Sequence, residues 1–189
     1  MKISGRLILF TIVLVVLTTA CKYFFGASYE WSGFSPVIAI ALFSGMIIKQ
    51  KDYSFILPLV ALLLSDIAIQ VLYQMNQFPY AGFYGGQWKN YMLLLLTATL
   101  IGWLLKGRKY SSVFLGGIIA PTLFFLASNF SVWLSNEVMY TRDFAGLMNS
   151  YVAGLPFYKN ALLATLVFLP VILVSYNYLA KQKNSLVVA

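Results

Sequence analysis

The sequence predicts an all-α integral membrane protein: a bundle of about six transmembrane helices, in a single domain over residues 1–189, with both termini cytoplasmic. Three observations predict this class. The chain is 61% hydrophobic and only 10% charged, whereas a soluble domain carries about 25% charged residues. Its apolar runs approach the roughly 20 residues that a helix needs to cross the hydrocarbon of a bilayer. Its basic residues cluster at alternate connections, which is typical of multi-pass proteins.

Six apolar segments provide the predicted spans. They cover residues 7–25, 34–48, 55–73, 91–105, 113–134 and 161–179. Two connections are long and rich in aromatic residues, 74–90 and 135–160. Loops of more than about 12–15 residues are usually functional or disordered, and aromatic-rich segments are poor candidates for disorder. Two interpretations stay open for these loops: a belt of interfacial aromatic side chains, or a cover over an outward-facing pocket.

The distribution of Lys and Arg predicts the orientation. Nine of the 13 basic residues fall on one side of the predicted topology: Lys2, Arg6, Lys49, Lys51, Lys106, Arg108, Lys109, Lys181 and Lys183. The other four are Lys22, Lys89, Arg142 and Lys159. Because positively charged loops stay in the cytoplasm during insertion, both termini are expected there, in a bacterial inner membrane.

The composition excludes several classes of function. The chain has no histidine and a single cysteine, Cys21, which excludes a histidine-based catalytic triad, a zinc finger and an intrachain disulfide. We expect no metal, no cofactor and no enzymatic activity. The net charge of +8 is divided among small clusters, so it forms no basic patch for nucleic acid, and no nucleic-acid partner is expected.

The segment that ends at Cys21 has an alternative interpretation. Leu17-Thr18-Thr19-Ala20-Cys21 follows a basic start and an apolar stretch, as in a bacterial lipoprotein signal. Thr18 occupies the position where leucine is usual, and a lipid anchor adds little affinity to a chain with five further spans. The sequence therefore favours an uncleaved first helix over a lipidated cysteine.

Asp66 is the only acidic residue deep within a predicted span. At 1.5 Å per residue it lies about 16 Å from Phe55, near the membrane midplane. A central Asp costs roughly 2.5–3.5 kcal/mol to insert, so its default interpretation is functional, with a structural Asp that faces other helices as the alternative. No basic residue occupies a matching depth in another span. The sequence therefore favours a protonated or hydrogen-bonded Asp66 over an intramembrane ion pair.

Asn129 and Trp133 lie one turn apart on one face of the fifth span. Such a pair is typical of one side of a ligand pocket, in which the amide recognises a polar group and the indole stacks on the ligand. It is equally typical of polar contacts between helices. Small residues one turn apart permit close helix packing. They occur at Ala41-x-x-x-Gly45, Ala98-x-x-x-Gly102 and Gly116-x-x-x-Ala120.

Four blocks of residues resemble a known family. They are Phe34-Ser35-Pro36 with Ala39-Ile40-Ala41-Leu42-Phe43; Pro58-Leu59 with Leu63-Leu64-Ser65-Asp66; Phe124-Phe125 with Asn129-Phe130 and Val132-Trp133-Leu134; and Tyr140, Gly146-Leu147, Tyr151, Leu155-Pro156-Phe157 and Asn160. The family is an uncharacterised, Bacteroidetes-type group of small six-span bacterial membrane proteins. Its layout remotely resembles the S components of energy-coupling factor transporters. Those bind a vitamin or metal from outside, and they pair with a membrane coupling subunit and two ATPases.

The resemblance implies a subunit that captures a small, vitamin-like molecule. The expected ligand-binding side chains are Asp66, Asn129, Trp133, Tyr84, Trp88 and Tyr151. The chain contains no G-x-x-x-x-G-K motif, so energy would come from a partner or a gradient. The alternative function is a non-catalytic subunit that assembles with a larger envelope complex. A membrane enzyme built on Asp66, or on Tyr140, Arg142 and Asp143, is the least favoured interpretation.

Overall fold

The computed structural model describes residues 5–48, 51–107, 109–135 and 139–179. This part of the chain is helical, with six helices and no strands. The helices are α1 (Gly5–Phe25), α2 (Val37–Ile47), α3 (Ile56–Gln74), α4 (Gln87–Leu105), α5 (Tyr110–Ser135) and α6 (Phe144–Leu179). A 3₁₀ turn, Lys51–Phe55, precedes α3, and a π-helical turn, Leu95–Thr99, interrupts α4. The all-α prediction is confirmed for these residues.

Four helical segments are long and apolar enough to cross a membrane: Tyr53–Gln74, Gln87–Leu105, Tyr110–Ser135 and Phe144–Tyr178. The apolar helices Leu9–Phe25 and Val37–Ile47 are shorter. Large apolar side chains lie on the outside of the bundle, as Leu104 does at 73% exposure. Such a surface suits lipid, and association with a membrane follows from it.

Most of the basic residues from which the orientation was predicted lie outside the described residues: Lys2, Lys49, Arg108, Lys181 and Lys183.

Helix α2 is the centre of the bundle. It has only 11 residues, and all but the last are buried, so protein surrounds it on every side. Its contact with α4 is close at Gly45 and Gly102, where a methyl group on either glycine would collide with the backbone of the other helix. This confirms the close helix packing predicted from the small residues at these positions.

Helix α6 begins at Phe144, well before the predicted start at residue 161. The prediction of an external loop over the whole of 135–160 is therefore wrong. The helix has 36 residues, about 54 Å at 1.5 Å per residue, and contains Pro156 and Pro170. Its first half packs against the second half of α5. There the hydroxyls of Thr122 and Tyr158 are 2.8 Å apart, and the rings of Phe125 and Tyr158 stack at 4.8 Å.

Asp143 explains why α6 starts where it does. Its Oδ1 accepts hydrogen bonds from the Gly146 backbone N–H and from the Thr141 hydroxyl, both at 2.7 Å. A carboxylate at this position satisfies an N–H of the first turn and faces the positive end of the helix dipole. The bond from Gly146 and then the bond from Thr141 lower the pKa of Asp143 below its ordinary value of 3.8.

The first turn of α6 is therefore expected to depend on pH. A lowered folded-state pKa means that the stabilisation is fully present above pH 3.8 and is lost as the pH falls below it, through the folded-state pKa. Hydrogen exchange of amides 145–150, corrected for intrinsic rates, should become several-fold faster over that range. Asp143→Ala should exchange fast at every pH. Asp143→Asn keeps the capping acceptor, so it should retain protection without the pH dependence. Equal protection in all three proteins would contradict the cap.

Candidate functional site

A buried ion pair joins α1 to α3. The Lys22 ammonium, in the last turn of α1, contacts Asp66 Oδ1 of α3 and also donates to Ser65 Oγ at 2.7 Å. The two charged side chains are 20% and 8% exposed. The Asp66 carboxylate therefore has a cationic partner, and the prediction of a protonated or hydrogen-bonded Asp66 rather than an ion pair is wrong.

The depth of Asp66 explains the error. Counted from Phe55, Asp66 is near the midplane, but α3 ends at Gln74, so Asp66 is only about 12 Å from that end at 1.5 Å per residue. Lys22 is less than one turn from the end of α1, which packs alongside α3. A lysine carries its charge at the end of a flexible four-carbon stem. Lys22 therefore reaches Asp66 from near the end of α1.

Gln87, the first residue of α4, binds the other oxygen of the carboxylate. Its Nε2 is 2.7 Å from Asp66 Oδ2, 2.9 Å from the Tyr91 hydroxyl and 3.2 Å from the Gly82 carbonyl. Its Oε1 accepts the backbone N–H of Tyr84 at 3.3 Å. Both oxygens of Asp66 are thus hydrogen-bonded, as a buried carboxylate requires. Sequence reasoning missed Gln87, although a glutamine at the start of an apolar helix was a visible signal.

The segment 75–86 covers this cluster. A methyl group at Gly82 would collide with the backbone of α3 at Asp66 and Gln70, so glycine lets the segment lie directly on the helix. The Phe83 N–H donates to Gln70 Oε1 at 3.3 Å, and the Tyr80 hydroxyl donates to the Lys22 carbonyl at 3.4 Å. Burial, and next the negative charge of Asp66, raise the pKa of Tyr80. Tyr80 therefore keeps its proton and remains a donor at neutral pH.

Two adjoining cavities open among these residues, at the end of the bundle where segments 26–36, 75–86 and 139–143 lie; we call this the long-loop end. The α5–α6 cavity, of about 660 Å³, is lined by Phe124, Phe125, Asn129, Gly154 and Phe157 among others. The Asp66 cavity, of about 470 Å³, is lined by Asp66, Tyr80, Gly82, Gln87 and Tyr91 among others. Residues that line both are Lys22, Gly33, Ser35, Leu62, Asn90, Leu94 and Phe124. The two cavities are therefore neighbouring chambers of one site.

Irregular backbone lines both chambers between α1 and α2. Ser35 Oγ is buried and has no hydrogen-bond partner among the described residues. The segment that carries it is tied to α6, because Asn160 Nδ2 donates to the Glu30 carbonyl at 2.8 Å and to the Ser32 carbonyl at 2.9 Å. Non-helical backbone inside a membrane bundle is tolerated where protein surrounds it or where it borders a cavity. Both conditions hold here.

Three of the predicted site residues line these chambers. Asp66 and Tyr84 line the Asp66 cavity, and Asn129 lines the α5–α6 cavity. The amide nitrogen of Asn129 donates to the Phe125 carbonyl of its own helix at 2.9 Å. Its carbonyl oxygen lies against Gly154 of α6. Asn129 therefore combines both of the roles considered for it, helix packing and a place in the cavity wall.

The other three predicted residues are not among those that line the chambers. Trp133 Nε1 donates to the Thr141 carbonyl at 2.9 Å, and the Arg142 guanidinium lies 5.8 Å from the ring centre. Trp133 therefore holds the connection between α5 and α6. Trp88 is 64% exposed, with one edge on Tyr91.

Tyr151 packs between the last two helices. Its hydroxyl donates to the Leu126 carbonyl at 3.3 Å, and its ring contacts Phe125.

Among the residues that the structure describes, no three His, Cys, Asp or Glu side chains come together in a group that could hold a metal ion. The polar groups of the site are one ammonium, one carboxylate, amides and hydroxyls. These groups suit recognition of a ligand by hydrogen bonds.

Comparison with known proteins identifies a family. Residues 2–186 match a family of unknown function, DUF6580. No curated protein and no solved structure matches the chain. Since the family match covers nearly the whole sequence, the protein belongs to DUF6580.

Proposed function

We propose that the protein is a membrane subunit that captures a small, vitamin-like molecule in the two-chambered site, as the S components of energy-coupling factor transporters do. One observation carries this proposal: a cavity at the long-loop end with apolar walls and a few buried polar groups. Its larger chamber, about 660 Å³, lies within the 300–1,000 Å³ typical of small-molecule sites. The unpartnered hydroxyl of Ser35 offers a hydrogen bond that the described protein does not use.

The proposed topology has six crossings, with both termini in the cytoplasm of a bacterium and the long-loop end facing outside. Helix α1, with 21 residues, reaches about 31 Å at 1.5 Å per residue. Helix α2 is too short to cross alone, but it is buried in protein, and the irregular segment 26–36 before it would complete the crossing. Transporter sites are often built where a helix is interrupted in this way, because the irregular backbone lines the ligand cavity.

Release of the ligand into the cell would need a partner. The sequence has no G-x-x-x-x-G-K motif for ATP. We therefore place the chain beside a membrane coupling subunit with ATPases, to which it would present the loaded site. The exposed apolar side chains along its helices suit contact either with the bilayer or with such a subunit.

The proposal predicts a bound small molecule that depends on the α5–α6 cavity. Mass spectrometry of extracts from the gently purified protein should recover one compound in near-stoichiometric amount. Ala153→Trp places an indole in the cavity wall and should lower the recovery by about tenfold or more, because the ligand loses its space. Ala145→Trp is the matched control, since residue 145 is exposed on the same helix and is not among the lining residues.

Equal recovery from wild type and Ala153→Trp, or no bound compound together with no stabilisation by any vitamin, would overturn the proposal. Stabilisation is measured with a thiol-reactive fluorogenic dye. Cys21 is the only cysteine of the chain and is 4% exposed, so the dye reports unfolding. A stoichiometric protein partner that co-purifies without a small molecule would favour the assembly subunit instead.

A further inference from the structure

The charged and polar residues that line the α5–α6 cavity indicate a class of ligand. Among the described residues that line it, Lys22 is the one charged side chain. Asp66 lines only the neighbouring chamber. Lys22 is paired with Asp66, so what it can offer a ligand in the α5–α6 cavity is its remaining N–H, and no carboxylate belongs to the described lining residues. A wall that supplies hydrogen-bond donors and no described carboxylate favours a ligand with acceptor oxygens.

Lys22 has unused capacity to donate. An ammonium group carries three N–H bonds, and Lys22 directs one to Ser65 Oγ and one to Asp66 Oδ1. The third has no acceptor among the described residues. The hydroxyl of Ser35, also unpartnered, and the amide of Asn90 belong to the residues that line both chambers, as Lys22 does. The Asn90 amide donates to the Tyr84 hydroxyl at 3.4 Å, and its second N–H is left over. Three residues with hydrogen-bond donors thus line both chambers.

The rest of the α5–α6 cavity is apolar and aromatic. Phe124, Phe125 and Phe157 contribute rings to its wall, and such walls hold flat or apolar groups. We propose, on the basis of the capture function, that the α5–α6 cavity takes an aromatic or apolar carboxylic acid. Its carboxylate is held by Lys22 with Ser35 and Asn90, and its apolar body lies against the phenylalanine rings.

Three probes that share one ring system test this class: indole-3-acetic acid, indole-3-acetamide and tryptamine, which are anionic, neutral and cationic at neutral pH. Each is titrated against the detergent-purified full chain, with unfolding followed by dye labelling of Cys21. Stabilisation by a ligand grows with its concentration relative to its Kd. The acid should bind about tenfold or more tighter than the amide, since hydrogen bonds to charged groups are the stronger ones. Tryptamine should bind weakest.

Variants of the ion pair sharpen the test. Asp66→Asn removes the carboxylate that competes for Lys22, so the acid should bind tighter than it does to wild type. The double variant Lys22→Met/Asp66→Leu removes both charges, so no unpaired buried charge destabilises the fold. The preference of this variant for the acid over the amide should disappear. Lys89→Gln is the control, because it removes an exposed lysine that is not among the lining residues.

The outcomes separate the two proposals. If the amide or tryptamine binds as tightly as the acid, or if the double variant keeps the preference, the acid class is overturned while capture of a ligand stands. If none of the three probes shifts unfolding at millimolar concentration, the acid class is again overturned. Capture itself is then decided by the compound recovered from wild type and Ala153→Trp.

Discussion

Lys22→Met alone should destabilise the protein by about 3–5 kcal/mol, the usual cost of removing one partner from a buried pair. The reason is that Asp66, whose side chain is 8% exposed, would be left as a buried carboxylate without its cation. Gln87 still binds one of its oxygens, and protonation offers some relief. The measurement is unfolding in detergent, followed by dye labelling of Cys21.

The double variant Lys22→Met/Asp66→Leu should recover most of that loss. Replacing a buried ion pair by apolar residues of similar volume is often neutral or stabilising, because no charge then has to be desolvated. Lys89→Met, which changes an exposed lysine, should shift stability by no more than about 0.5 kcal/mol. The single variant Asp66→Leu completes the comparison. If the double variant lost as much stability as Lys22→Met and Asp66→Leu added together, the two side chains would be energetically independent, and the pair would not stabilise the bundle.

Gly45→Ala should cost about 1–3 kcal/mol, the range for overpacking a core. A methyl group at Gly45 meets the Thr99 carbonyl and the backbone of Gly102. Backbone cannot rotate away as a flexible side chain can, so α2 and α4 must separate and lose contacts along their length. The same unfolding assay measures the loss.

Gly85→Ala is the matched control for this substitution. Gly85 has open space around its Cβ position, so its replacement should change stability by at most about 0.5 kcal/mol. Gly102→Ala should resemble Gly45→Ala, because the two glycines face each other. Equal stability of the Gly45 and Gly85 variants would contradict the close packing of α2 on α4.

Helices α3 and α5 were predictable, because the length of an apolar run determines where each begins and ends. The predicted spans 55–73 and 113–134 agree with α3 and α5 to within a few residues, since an apolar run in a membrane must satisfy its own backbone as a helix. The start of α6 was not predicted. The segment 135–160 lies between two predicted spans and was interpreted as a loop, whereas the Asp143 cap and continuous packing on α5 produce a helix.

Three of the residues that line the candidate site, Asp66, Tyr84 and Asn129, were predicted from the sequence. Asp66 attracts attention because an acidic residue within an apolar span is costly. Its partners Lys22 and Gln87 come from other helices, and their contact with Asp66 depends on how α1, α3 and α4 pack. Residue spacing within one helix carries no such information. Exposed aromatic residues such as Trp88 were given weight for their chemistry, although packing places them away from the residues that line the chambers.

Gln87 ties the segment 75–86 to the Asp66 carboxylate. One amide group binds the segment above it, at Gly82 and Tyr84, and the carboxylate below it, at Asp66. Displacing that segment from α3 therefore either breaks the amide's upper bonds or draws the amide away from Asp66. The position of this segment and the hydrogen bonding of Asp66 are thus thermodynamically linked, and a change in either shifts the other by the same free energy.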